Sequence, residues 1–95
     1  MKNQINIVQT KYNKMFIGVV EVDNGLINIT NPLYVDIIYN EERMPVFNYT
    51  PWQILTDEEL LVLSESDIIF NIKAKKELSS AYRAICSQFS FMDDD

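Results

Sequence analysis

Apolar and polar residues alternate in short blocks along most of the chain, and near its end they recur every three or four residues. The alternation of Ile5-Asn6-Ile7-Val8-Gln9 predicts a first strand, ended by the polar turn Lys11-Tyr12-Asn13-Lys14. Met15 to Val22 predicts a longer second strand with Phe16, Val20 and Val22 on one face and Gly18 in the same row. Glycine inside a strand pattern marks a bend, a bulge or a close backbone approach.

Asn24-Gly25 is a strong hairpin signal, because a type I′ turn needs positive φ at both central residues. A two-residue turn there would set Asp23 opposite Leu26, Val22 opposite Ile27, Glu21 opposite Asn28 and Val20 opposite Ile29. That register gathers the apolar pairs on one side. Asn31-Pro32 interrupts the next strand, since proline cannot donate to a central ladder. Leu33, Val35, Ile37 and Tyr39 then form one row. Asn40-Glu41-Glu42 predicts a charged turn, and Arg43 to Tyr49 a returning strand, with Pro45 pointing to a sheet edge.

Thr56 and Glu59 have capping-box spacing, yet Leu60-Leu61-Val62-Leu63 is apolar all round, as a buried strand would be. The preferred reading is a loop followed by a strand. Ser64 to Asp67 is a tight polar connection, and Ile68 to Lys73 the last strand. From Ala74 the period changes. Leu78, Ala81, Tyr82, Ile85 and Phe89 predict an amphipathic helix over about 75–89 packed on the sheet. Lys75 and Lys76 sit at its start, against the helix dipole, and Met92 with Asp93-Asp94-Asp95 forms an acidic tail.

Ninety-five residues make a single domain. A chain this short buries only about two thirds of its unfolded surface, so self-association would help it. The net charge of −6, from eight basic and fourteen acidic residues, is a poor start for neutralising phosphates or an anionic membrane surface. The basic residues do group locally: Lys73, Lys75 and Lys76 follow the last strand. No run reaches the roughly 20 apolar residues of a membrane span. The first residues lack the apolar core of a signal peptide. These features together suggest a cytoplasmic protein.

Little points to catalysis. The chain has no His and one Cys, Cys86, which reads as a small core hydrophobe. There is no Gly-rich phosphate loop. The adjacent acids Glu41-Glu42 and Asp57-Glu58-Glu59 read as solvated charge and lack the alternating spacing of a Ca²⁺ loop. No enzyme, metal site or cofactor is expected. Trp52 and the tyrosines could stack on bases, although aromatics in so small a domain mostly serve core or interface.

The order of elements resembles the Sm/LSm-like proteins. Gly18, Val20, Ile27 and Asn28 match the spacing of the first Sm motif, with Asn24 at its aspartate position. The runs 60–63 and 68–72 match the second motif, where Ser64 and Glu65 replace Arg and Gly. More specifically, Asn31-Pro32-Leu33, Pro51-Trp52, the turn SESDII and the segment KELSSAY resemble Sm-like proteins from marine phage and ocean metagenomes, a group with no defined activity. The resemblance implies a mainly β fold: a small, strongly bent, five-stranded antiparallel barrel over about 4–73, a helix over about 75–89 and a tail at 92–95. It implies a homo-oligomeric ring built by edge-strand pairing, in a host cytoplasm if phage-encoded.

The functional expectation is a non-enzymatic ring that binds single-stranded RNA or DNA and takes part in nucleic-acid processing. Its contact residues would be Asn24, Asn28, Lys73, Lys75 and Lys76. The alternative is a structural or scaffolding ring that binds protein. The −6 charge, Leu26 at the base-stacking position and Ser64 at the motif arginine favour that alternative.

Overall fold

The computed structural model describes residues 4–52, 55 and 58–89. The chain is mainly β. Six strands, β1 (Ile5–Thr10), β2 (Met15–Asp23), β3 (Leu26–Tyr39), β4 (Pro45–Pro51), β5 (Leu60–Ser64) and β6 (Ile68–Lys73), precede one helix, α1 (Lys76–Phe89). All pairings are antiparallel, in the order β4-β3-β2-β1-β6, and β5 joins β3.

Two features of the expected five-stranded barrel are corrected. The strands number six because β4 and β5 share one neighbour. β4 pairs with β3 from Leu33 to Tyr39, and β5 pairs with it from Leu26 to Thr30. The two are successive pieces of one edge, split by the chain between them. The sheet also stays open. A 3-10 turn at Glu65–Asp67 carries β6 round to β1, so β5 and β6 are not neighbours in the sheet.

The sheet is nevertheless bent hard. Ser64 lies opposite Leu26, beside the β2–β3 turn, and Ile68 opposite Thr10, beside the β1–β2 turn. Those turns flank opposite ends of β2, roughly 30 Å apart in a flat strand of that length. Four residues of chain span at most about 14 Å. Only a sheet curled back on itself lets this connection reach. The 3-10 turn is tied to both ends: Glu65 N–H donates to the Gly25 carbonyl at 2.8 Å, and Lys11 N–H to that of Asp67 at 2.9 Å.

The bend has a local origin. The β2–β3 register runs as expected from Asp23 opposite Leu26 to Val20 opposite Ile29, then shifts between Val19 and Ile17. Asn31 and Pro32 together face the single residue Gly18, which is a β-bulge. Asn31 adopts φ 49°, and Pro32 has no N–H to lose. A Cβ on Gly18 would lie 2.6 Å from the Ile29 Cγ2 and 3.0 Å from the Thr30 carbonyl oxygen. Beyond the bulge, β3 exchanges its faces. Ile27 and Ile29 join Val8, Phe16 and Val20 inside the bend, with Leu61, Leu63 and Ile68 against them. Leu33 and Val35 instead join Ile5 and Ile17 beneath α1, which contributes Tyr82, Cys86, Leu78 and Ile85.

α1 locks onto the bulge. The Tyr82 hydroxyl shares its proton between the carbonyls of Asn31 at 2.9 Å and Thr30 at 3.1 Å. On the other side, Asn31 N–H donates to the Glu59 carbonyl at 2.7 Å. Past Val35 the β3–β4 hairpin leaves the body as a two-stranded arm. Its cross-strand pairs Ile37–Phe47 and Ile38–Val46 are exposed. Its tip is closed by Asn40, whose side-chain oxygen accepts the N–H groups of Glu42 at 2.9 Å and Met44 at 3.0 Å.

Gly18→Ala should cost about 1–3 kcal/mol, the range for forcing volume into a packed site, read from the denaturation midpoint. Tyr82→Phe should cost about 1–2 kcal/mol by stripping two carbonyls of their donor. Burial first, and then the nearby Cys86 thiol, hold the Tyr82 pKa above the ordinary tyrosine value. The resulting stability is whole below the unfolded value of about 10 and is lost as pH rises toward the folded value. Stability measured against pH should therefore fall less steeply above pH 10 in Tyr82→Phe. Burial also raises Cys86, partly offset by its bond to Tyr82, so a smaller alkaline loss remains.

Candidate nucleic-acid interface

The expected contact residues occupy two separate places. Asn24 and Gly25 form the β2–β3 turn with φ 50° and 80°. Both are left-handed, as a type I′ turn requires, and Asn24 is exposed. Asn28 lies on β3, half-buried, with Glu21 of β2 on one side and Val62 of β5 on the other. Lys73 ends β6, Lys75 follows it and Lys76 begins α1; all three are exposed.

β2 and β1 separate β3 from β6 in the sheet. Three strand spacings put roughly 14 Å between the β3 and β6 backbones. Lys73 pairs with Asn6, which pairs in turn with Gly18, three residues along β2 from the Glu21 opposite Asn28. A single copy therefore does not gather the asparagines and lysines into one groove.

The surroundings of Asn28 are acidic. Glu21 and Asp23 are exposed on β2, and the Glu65–Gly25 hydrogen bond brings Glu65, also exposed, to the hairpin. Carboxylates there repel a phosphate backbone. The aromatic residues are largely engaged. Phe16 and Tyr34 pack with ring centroids 5.0 Å apart, Tyr82 is buried against the bulge, and the Trp52 indole N–H donates to the Glu58 carbonyl at 2.8 Å. Tyr12 and Tyr39 are exposed, at the β1–β2 turn and on the arm.

A shallow depression of about 380 Å³ is lined by Lys14, Met15, Tyr34, Asp36 and Thr50, among others. It carries one cation, Lys14, one carboxylate, Asp36, and the hydroxyl-bearing Tyr34 and Thr50. Among the described residues, no three His, Cys, Asp or Glu side chains group as metal ligands. No helix among them is long and apolar enough to cross a membrane. Thr56 and Asp57 of the expected loop, and the acidic tail, lie outside the described residues.

The feature that sequence reading missed is apolar. Leu60-Leu61-Val62-Leu63 has the composition of a strand buried on both faces. In the structure only Leu61 and Leu63 turn into the bend, while Leu60 and Val62 are 46% and 47% exposed. On β6, Ile69 and Ile72 are 63% and 52% exposed. The signal was present in the strand's all-round apolar character. No family model matches the chain, and no curated protein matches its sequence.

If Asn24 serves only the turn, Asn24→Gly should leave stability within about 0.5 kcal/mol. Asn24→Ala should lose about 1 kcal/mol, because alanine is strained at positive φ. Chemical denaturation of both variants separates the turn role from any ligand role.

Proposed function

We propose that this chain is a non-enzymatic, self-assembling Sm-like module. Copies join side by side, the outer edge of β5 in one against the outer edge of β6 in the next, and close a homo-oligomeric ring. The ring acts as a structural or scaffolding platform for protein partners. Its resemblance to phage proteins would place it in the cytoplasm of an infected host.

One observation carries this reading: among the described residues β5 and β6 each have a single neighbour in the sheet, and they expose apolar side chains beside the free edge. An unpaired edge strand is a template for another chain, and proteins that avoid such pairing blunt it with proline or charge. β4 is blunted in this way, with Pro45 and Pro51 at its two ends. β5 has neither proline nor charge along its length, and β6 has a single charge at its end, Lys73. Pairing β5 with β6 would cover Leu60, Val62, Ile69 and Ile72 together. Burying apolar area stabilises by about 25 cal/mol per Å², which would repeat at every junction of a ring.

Binding of single-stranded RNA or DNA is the second reading. It is favoured by the Glu65–Gly25 hydrogen bond, which holds the Asn24 and Asn28 hairpin beside the turn that carries the second motif. A ring would repeat Asn28 around one face. The carboxylates Glu21, Asp23 and Glu65 weigh against it.

Light scattering or sedimentation should give a mass several times that of one chain. Val62→Lys should shift the protein toward monomer with its circular dichroism unchanged, and a wild-type monomer would refute the assembly. Labelled oligonucleotides titrated at low and high salt then divide the two readings. Binding at low salt that weakens with salt supports the second. No binding to an intact assembly leaves the scaffold.

A further inference from the structure

We infer that Lys73, Lys75 and Lys76 form a docking surface for a second copy of this chain, matched by the carboxylates at the start of β5. This rests on the β5–β6 pairing proposed above and adds its direction, its electrostatic origin and a role for the lysines other than phosphate contact.

β5 is preceded by Glu58 and Glu59, both exposed, and followed by the acidic Glu65 to Asp67 turn. β6 is preceded by that same acidic turn and followed by Lys73, Lys75 and Lys76, all exposed. The two edges thus differ in polarity. β5 is acidic at both ends, whereas β6 is acidic at its start and basic at its finish.

Two strands from neighbouring copies can meet parallel or antiparallel. In a parallel pair the start of β5 lies beside the start of β6, so Glu58 and Glu59 face Asp67, and the lysines face Glu65. In an antiparallel pair the start of β5 lies beside the end of β6. Glu58 and Glu59 then face three lysines, while the two acidic 3-10 turns, each carrying Glu65 and Asp67, meet at the other end. Like charges directly opposite on paired strands are destabilising, and opposite charges contribute roughly 0.2–1 kcal/mol a pair. Each arrangement thus carries one acid–acid end, but the antiparallel one sets two carboxylates, Glu58 and Glu59, rather than Glu65 alone against the basic cluster, and it also suits an all-antiparallel sheet. The backbone carbonyl of Glu59 is fixed by Asn31, so the start of β5 is held in place while its side chain remains exposed. Lys75 and Lys76 are similarly placed by the buried Ala74, whose N–H donates to the Ile5 carbonyl at 3.0 Å.

The Lys75→Glu/Lys76→Glu variant sets acid against acid. It should weaken assembly by roughly tenfold at low salt, the size expected of two or three exposed pairs. The fourfold variant that adds Glu58→Lys and Glu59→Lys restores the complement with reversed sign and should recover wild-type assembly. Wild-type assembly itself should weaken from low to high salt as the pairs are screened, a readout that needs no substitution. Sedimentation over a concentration series measures all three, with circular dichroism confirming each fold. A wild-type assembly indifferent to charge reversal or to salt overturns the inference and leaves β5–β6 pairing standing. So does a fourfold variant that fails to recover. A wild-type monomer overturns the pairing itself, and the lysine surface with it.

Discussion

The fold depends on how one extra residue in β3 is accommodated. Asn31 and Pro32 face the single Gly18, and this mismatch bends the sheet and reverses the facing of β3. Without the reversal, Ile27, Ile29, Leu33 and Val35 would all fall on one face and could not serve two cores. A bulge leaves polar backbone without ladder partners, and burying such groups unpaired costs about 1–3 kcal/mol each. Three residues distant in sequence remove that cost. Gly18 gives the room, Tyr82 supplies a donor to the carbonyls, and Glu59 accepts the Asn31 N–H. The helix and the β5 edge are therefore both referenced to the same point, and β5 inherits its position from the bend.

Much of this was legible from residues alone, for reasons of period and turn chemistry. Asn24-Gly25 specified a two-residue turn, and with the facing fixed by apolar pairs the whole register to Val20–Ile29 followed. Gly18 and Asn31-Pro32 each signalled a bend. That they lie opposite each other is a tertiary fact, which no local pattern encodes. The helix was placed within one residue at its start, because three- and four-residue spacing persists through several turns. Its hydroxyl bond to the bulge was not legible, since it joins residues about fifty positions apart. The five-stranded barrel implied by the resemblance gave way to six strands, although alternation had marked separate strands at 43–49 and 60–63; what it could not show is that both pair with β3. Strand pairing that skips a stretch of chain leaves no mark in alternation.

The candidate contact residues show the limit of motif spacing. Asn28 sits where the resemblance puts it, on β3 beside the turn. However, Glu21 lies opposite it on one side and Val62 on the other, with Asp23 and Glu65 along the hairpin, and the lysines lie across the sheet. Spacing records position along a strand and not the charge that the fold assembles around it. The same lysines gain meaning from the strand they end, because polarity along an edge is a property of sequence order.

The arm formed by the outer halves of β3 and β4 stands apart from all of this. Its Ile37, Ile38, Val46 and Phe47 contribute to neither core, and its tip is closed by the backbone and side chain of Asn40. A hairpin that completes its own turn and joins neither core is insulated from the bulge and the helix. Changes in its length should therefore leave both cores undisturbed. Copies sharing the same bent body could therefore diverge there first, presenting different arms on one unchanging frame.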